Sequence, residues 1–148
     1  MTNDQKIEIL KEIISGNLEN ARTMCEQFEW KLRNDINSAY IKELIAKEFK
    51  EFKEDVLAGW SRTEMFDIAY EIHTKTEIAE FFENCELTDE QYRILAYAKA
   101  KTTTDLINVL YDYYLNRENA CICTYSDIEQ WIGWFCEKEK ELEGNGKN

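Results

Sequence analysis

The residues best suited to chemistry lie between positions 61 and 83, where His73, the one histidine of the chain, stands among carboxylates. Histidine beside carboxylates can serve general acid–base catalysis or bind a metal ion. A di-iron bundle needs Glu-x-x-His from two helices, which a single histidine cannot supply. No serine or cysteine stands at a diagnostic spacing from His73, so we predict a structural role for it at the junction of two helices.

A second candidate is the pair Cys121-x-Cys123. Zinc sites generally leave two to four residues between cysteines and repeat the pair. Here the gap is a single residue, although Cys85 or Cys136 could complete a site in the fold. We favour thiols that bind no metal, with the metal site as the alternative. The odd number of scattered cysteines argues against a secreted disulfide framework and for reduced thiols in the cytoplasm.

Other chemical signatures are missing from the sequence. It contains no Gly-rich phosphate loop, no G-x-S-x-G and no H-E-x-x-H. Lysine and arginine are spread singly among acidic residues, which is not the basic stripe of a DNA- or RNA-binding protein. The charged N-terminus predicts no signal peptide, and no apolar run reaches the ~20 residues of a membrane span. We therefore expect a cytoplasmic protein that is not an enzyme and needs no cofactor.

The elements that position these residues are predicted to be helices, because the chain has no proline and only five glycines in 148 residues. An apolar stripe over residues 7–14 is followed by Gly16 at an expected C-cap. Two further apolar faces between residues 17 and 58 predict longer helices. The segment 34–38, rich in Asn, Asp and Ser, is the expected break between them, with one long helix as the alternative.

Helix starts in the second half are marked by capping boxes, in which a hydroxyl and a Glu or Gln three residues later satisfy free backbone N–H groups. The four matches are Ser61-x-x-Glu64, Thr74-x-x-Glu77, Thr88-x-x-Gln91 and Ser126-x-x-Glu129. A fifth start is expected within residues 101–105. The prediction is an all-α fold: a compact helical bundle of about seven or eight helices, longer in residues 1–58 and shorter in 59–148. These two parts are either separate domains or one continuous domain.

Acidic residues dominate the second half of the chain. Of the net charge of −12, residues 61–148 carry −9, with eighteen acidic and nine basic side chains. The nine carboxylates of residues 64–90 are Glu64, Asp67, Glu71, Glu77, Glu80, Glu83, Glu86, Asp89 and Glu90. The six of them on the predicted helices 62–72 and 75–84 point away from the core. Such carboxylates lie about 5–6 Å apart, comparable to nucleic-acid phosphates, and could occupy a basic protein groove. A merely solvated helix face is the alternative.

The last helix offers a second candidate contact. Ile128, Trp131, Ile132 and Phe135 share a predicted core face, and Trp134 falls outside it. Exposed tryptophan often marks an interface. A homo-oligomer formed through Phe49, Phe52 and this helix is therefore the alternative to an acidic binding protein.

Several segments resemble the family called domain of unknown function 3848. They are "LIAKEFKEFKEDVL", "TEMFDIAYEI", "KTEIAEFFE", "LTDEQYRIL", "DLINVLYDYYL" and "DIEQWI", which together span about residues 44–132. Thr63-Glu64-Met65 stands where the family often has Pro-Glu-Glu, and residues 1–40 fall outside the resemblance.

The resemblance implies a helical protein of bacterial mobile elements with no defined catalytic residue. For a small acidic protein of this context, analogy suggests a host-defence inhibitor of the anti-CRISPR type. The expected partner is a basic surface on a CRISPR nuclease or another nucleic-acid-binding protein, with no direct contact to nucleic acid or membrane.

Overall fold

The computed structural model describes residues 1–117 and 124–146. Its helices are α1 (Asn3–Ile14), α2 (Leu18–Gly59), α3 (Arg62–Asp67), α4 (Ala69–Asn84), α5 (Asp89–Ala100), α6 (Leu106–Leu115) and α7 (Tyr125–Asn145). The described residues contain seven helices and no strand, which confirms the prediction of an all-α bundle. None of these helices combines the length and the apolar character needed to cross a bilayer.

The turn between α1 and α2 is built around Gly16. This residue has φ +82°, and its N–H donates to the carbonyl of Ile13 at 3.1 Å. The next N–H, that of Asn17, donates to the carbonyl of Glu12 at 2.9 Å. These two bonds form a Schellman motif, in which a left-handed glycine ends the helix. The glycine predicted to end α1 does so, in the position directly after the C-cap residue Ser15, and α1 folds back along α2.

The 42 residues of α2 form one helix, so the predicted break at 34–38 is wrong. Asn34 is buried, and its side-chain amide donates to the Asp89 carboxylate at 3.4 Å. Asn interrupts helices when its side chain competes for local backbone groups. Here the partner lies on α5, so that competition is removed and the helix continues.

The core lies between the second half of α2 and helices α4 to α7. Ile41 and Ile45 of α2 are fully buried in it, together with side chains from each of those four helices. Aromatic contacts join α6 to α7: Tyr114 packs edge-on against Trp131 with ring centres 5.7 Å apart, and Tyr113 lies 5.2 Å from Phe135. This core positions α4 with one face inside and one outside.

The capping boxes predicted at Ser61 and Thr88 are confirmed as the starts of α3 and α5. The expected start within 101–105 is also confirmed, since Asp105 precedes α6. The helix start predicted at Thr74 is wrong, because this residue is buried within α4. The last box is displaced: Thr124 and Asp127, instead of Ser126 and Glu129, start α7.

Candidate protein-binding face

The nine acidic residues predicted as a binding face occupy α3, α4, the following turn and the start of α5. Glu64 forms the capping box at the start of α3 together with Ser61. Its carboxylate accepts a hydrogen bond from the backbone N–H of Ser61 at 2.6 Å, and the Ser61 hydroxyl accepts from the N–H of Glu64. The hydrogen bond from the Ser61 N–H holds the pKa of Glu64 below its usual range. Glu64 therefore stabilises a helix terminus.

Glu90 is held by cations of two helices. Arg93 donates to its carboxylate at 2.8 and 3.0 Å, and Lys140 of α7 lies 3.3 Å away. These bonds, led by those from Arg93, lower the pKa of Glu90 to about 2. Arg93 also donates to Glu143 at 3.2 Å. The charge of Glu90 is thus largely compensated within the chain.

Glu86 and Asp89 connect the start of α5 to α2. Lys42 of α2 donates to the Glu86 carboxylate, and the Tyr92 hydroxyl donates to it at 3.1 Å. The bond from Lys42 is the main reason why the pKa of Glu86 is low. Asp89 accepts from Asn34, as described above. Both acids therefore have partners in the fold and are less available to another protein.

Glu71 contacts the buried Lys75, a residue that the sequence patterns did not single out. The Lys75 ammonium donates to Glu71 at 2.6 Å and to the side-chain carbonyl of Asn108 at 2.6 Å. It also lies 4.1 Å from the ring centre of Phe52. Lysine is rarely buried unless paired. The signal available in the sequence was its isolation, since it is the one cation among the nine acids.

Three of the nine acids line one side of α4 at intervals of three residues: Glu77, Glu80 and Glu83, here called the acidic edge. Glu80 and Glu83 are exposed, and Glu77 is half-buried. Within residues 1–117 and 124–146, no lysine or arginine forms an ion pair with them, and neither does one with the exposed Asp67 of α3. The Nδ1 atom of His73 lies 4.0 Å from the Glu77 carboxylate.

His73 itself lies inside α4, with an exposed side chain. The prediction that it marks a junction between two helices is wrong, because that junction lies at Ile68. The side chains of residues 74, 75 and 78 fill the inner face of α4 and continue the helix past the histidine. His73 is therefore a surface residue beside the acidic edge.

A groove of ≈ 680 Å³ separates the acidic edge from α2. Glu80 and Glu83 form its α4 wall, and Phe49 contributes apolar surface from α2. The α2 wall also carries Lys42 and Lys53, and the ammonium of Lys53 lies 4.8 Å from the Phe49 ring centre. The groove thus joins apolar surface to two exposed carboxylates, an arrangement that fits the stem and head of a basic side chain.

Glu48 of α2 is a second buried charged residue that sequence patterns missed. Its two carboxylate oxygens accept from the backbone N–H groups of Leu106 at 2.9 Å and Ile107 at 2.8 Å. Burial raises the pKa of Glu48, against the effect of these bonds. Glu48 therefore caps α6 from a distant part of the chain, where Asp105 makes no capping bond of its own.

Trp134 lies on α7 outside the core face, as predicted, and is 40% exposed. The guanidinium carbon of Arg117 lies 4.0 Å from its ring centre. Stacking of arginine on tryptophan already covers part of the indole. Trp134 is far less buried than Trp131 of the same helix, and it remains accessible at the edge of this contact.

Cys121 and Cys123 lie outside the described residues. Cys85 is half-buried, and Cys136 is buried with its pKa raised to about 12 by burial. In the part of the chain that is described, no three His, Cys, Asp or Glu side chains are arranged to hold a metal ion.

Comparison with known proteins finds no family model, no curated protein and no solved structure that matches the chain. The resemblance drawn from the sequence segments thus stays a prediction.

Proposed function

We propose that this chain is a non-enzymatic acidic protein that binds a basic groove on a nucleic-acid-processing protein and blocks it, with CRISPR nucleases as the candidate class. The observation that carries the proposal is the acidic edge. Glu80 and Glu83 stay exposed and without a lysine or arginine partner in the described chain, while Glu71, Glu86 and Glu90 nearby are paired.

The contact is expected to use the groove between α2 and α4. The alkyl stem of a partner's lysine or arginine can lie against Phe49, and its cationic head can reach Glu80 or Glu83. Arginine is favoured because its guanidinium binds carboxylates through two parallel bonds. Each such contact takes up a cation that the partner otherwise uses to bind phosphate.

The overall charge of −12 supports the same function. A strongly acidic protein is steered toward a basic groove, which raises the association rate and makes it sensitive to salt. The predicted relation to mobile elements adds a biological context in which inhibition of a host nuclease is useful. Of the nine predicted contact residues, the acidic edge and Asp67 are the best placed to act.

The test is charge reversal of the acidic edge in a Glu77→Lys, Glu80→Lys, Glu83→Lys variant. The matched control is Glu129→Lys, Glu137→Lys, Glu141→Lys, which changes the net charge equally at exposed positions of α7. Both variants are assayed for binding to purified CRISPR nucleases and for inhibition of DNA cleavage, at about 0.1 M and 0.5 M salt. Over this range the electrostatic screening length falls from roughly 10 Å to less than half that value.

Inhibition by the wild type and the control, but not by the edge variant, is the expected result. An equal loss of inhibition in both variants would mean that the net charge of the protein acts without a defined binding face. Full inhibition by the edge variant contradicts the role of the edge, and no inhibition by the wild type across the panel contradicts the nuclease function.

The alternative is self-association through Phe49, Phe52 and the last helix. Phe49 is half-buried and Trp134 is 40% exposed, whereas Lys75 lies over Phe52 and Trp131 is buried. The large exposed apolar side chains of the chain are concentrated instead at the other end of α2.

A further inference from the structure

The N-terminal helices form an extension with very little core. We call α1 and residues 18–33 of α2 the arm. Among residues 1–33 the buried side chains are Ile9 and Ala21, and α1 packs on α2. Helices of this length gain most of their stability from packing of an apolar face. A two-helix hairpin that buries two side chains leaves most of its apolar surface without such packing.

The exposed apolar residues of the arm and of the next turns of α2, to residue 40, are large and numerous. Those at least 44% exposed are Met1, Ile7, Leu10, Ile13, Ile14, Leu18, Trp30, Leu32, Ile36 and Tyr40. On α2, Leu18, Cys25 and Leu32 follow one another at intervals of seven residues, and Ile36 comes one turn later. This apolar stripe lies on the side of α2 opposite to Ile41 and Ile45, which face the core. Spacing by seven is typical of helices that pair with other helices.

The total surface of the chain is too large for a compact monomer. It is 9983 Å², whereas a compact monomer of 17.6 kDa exposes about 7,900 Å². The excess of about 2,000 Å² per chain, or about 4,000 Å² for two chains, falls in the range that obligate homodimers bury. The chain as a whole thus exposes, beyond the surface of a compact monomer, about the area that an obligate dimer buries, and the exposed apolar residues of the arm are part of it.

The charge of the arm favours a second copy over a strongly charged partner. Residues 1–40 contain five basic and seven acidic side chains, a net of −2, and the remaining residues carry −10. Three ion pairs within the helices, Glu8–Lys11, Arg22–Glu26 and Glu29–Arg33, compensate half of these twelve charges locally. Two arms can meet without strong repulsion, with the acidic edges kept at a distance.

We propose that two copies of this chain pair through their arms into an antiparallel four-helix bundle with two-fold symmetry. The apolar stripes face each other, and the two α1 helices cover their flanks. If Leu18 of one copy lies opposite Leu32 of the other, the midpoint of the stripe falls at Cys25, and the two Cys25 side chains meet on the symmetry axis. This surface is distinct from the acidic edge, so either proposal can fail without the other.

The test is the mass in solution by size-exclusion chromatography with light scattering. The wild type is expected at twice 17.6 kDa. Leu18→Glu with Leu32→Glu should raise the dissociation constant by more than about 100-fold, because each charge enters the centre of the interface. The matched control, Leu57→Glu with Phe66→Glu, places the same charges at exposed apolar positions outside the arm and should remain a dimer.

Circular dichroism is recorded for each variant, so that loss of the arm helices is distinguished from dissociation. Cross-linking of the wild type by a short bis-maleimide tests the register without a disruptive mutation. A covalent dimer that is lost in Cys25→Ser and kept in Cys121→Ser, Cys123→Ser supports a contact between the two arms centred on Cys25, as the proposed pairing requires. A wild-type mass of one chain at about 100 µM, where obligate dimers persist, overturns the proposal, as does equal dissociation of the control variant.

Discussion

The Glu48 carboxylate on α2 accepts a hydrogen bond from the backbone N–H of Leu106 at 2.9 Å, and this bond fixes the start of α6. A helix begins with N–H groups that have no partner in the helix itself. For α6 the partner comes from 58 residues earlier in the chain. A buried side chain of α2 therefore holds the first N–H groups of α6.

Replacing Glu48 should destabilise the bundle. Glu48→Ala leaves two buried N–H groups unsatisfied, and we expect the free energy of unfolding to fall by about 2–4 kcal/mol. Glu48→Gln keeps one acceptor oxygen and should cost less. Urea unfolding followed by circular dichroism measures both, with the exposed Glu54→Gln on the same helix as control. A loss in Glu48→Ala no larger than in this control would contradict the capping role.

The stability of the fold should be equally sensitive to replacement of Lys75. Lys75→Ala removes the donor shared by Glu71 and Asn108 and leaves the Glu71 charge near the core, at an expected cost of about 2–4 kcal/mol. Lys75→Met keeps the packing against Phe52 and should recover part of this loss. Lys42→Ala, which breaks a more exposed pair with Glu86, should cost below about 1 kcal/mol. If Lys42→Ala proved the costlier change, burial of Lys75 would not be the stabilising factor.

Glu90 gives the fold a pH dependence of known sign. Its folded pKa of about 2 lies below the ordinary value of 4.5, so the folded protein favours the ionised form. Its contribution is present above pH 4.5 and is lost as the pH falls toward 2. Because the pair is half-exposed, we expect Glu90→Gln to cost only about 0.5–1 kcal/mol at pH 7. At pH 2 the variant and the wild type should converge.

Urea unfolding at a series of pH values measures this difference, and Glu141→Gln, at an exposed position of α7, serves as control. A cost for Glu90→Gln that stayed constant from pH 7 to pH 2 would rule out the proposed linkage.

The need for glycine at position 16 can be tested by comparison with another glycine of the chain. Gly16→Ala places a side chain at φ +82° and should cost about 1 kcal/mol, although open space surrounds the new methyl group. Gly144→Ala, inside α7 and also in open space, should stabilise the chain by about 0.5–1 kcal/mol. Hydrogen exchange of α1 amides reports the first effect directly. The free energy of unfolding is expected to fall in Gly16→Ala and to rise in Gly144→Ala. A change in the same direction for both variants would contradict the conformational argument.

Local sequence signals predicted the helices well where local bonds decide the structure. Ser61 and Thr88 start helices because their hydroxyls accept from an N–H three residues later. Thr74 has the same motif but lies within α4, since burial of that helix face outweighs the capping preference. At α7 two motifs overlap, and Thr124 is the one used.

The predictions failed where the decisive partner is distant. Asn34 remains helical because of Asp89, 55 positions later, and the burial of Glu48 and Lys75 depends on residues of α6. No periodicity within one helix encodes such contacts. The outward orientation of the acidic edge was predictable from helical spacing, whereas the pairing of Glu86 with Lys42 and of Glu90 with Lys140 was not.

The uninterrupted α2 also has a mechanical consequence. At 1.5 Å per residue its 42 residues span about 63 Å, and Gly59, its one glycine, is its last residue. This continuous helix therefore fixes the distance between the arm and the acidic edge. In an arm-paired assembly the two acidic edges would be held at a fixed separation by rigid helices, and not by a flexible linker. Such an assembly would favour targets whose basic grooves repeat at that separation, because the second contact then forms without a further search.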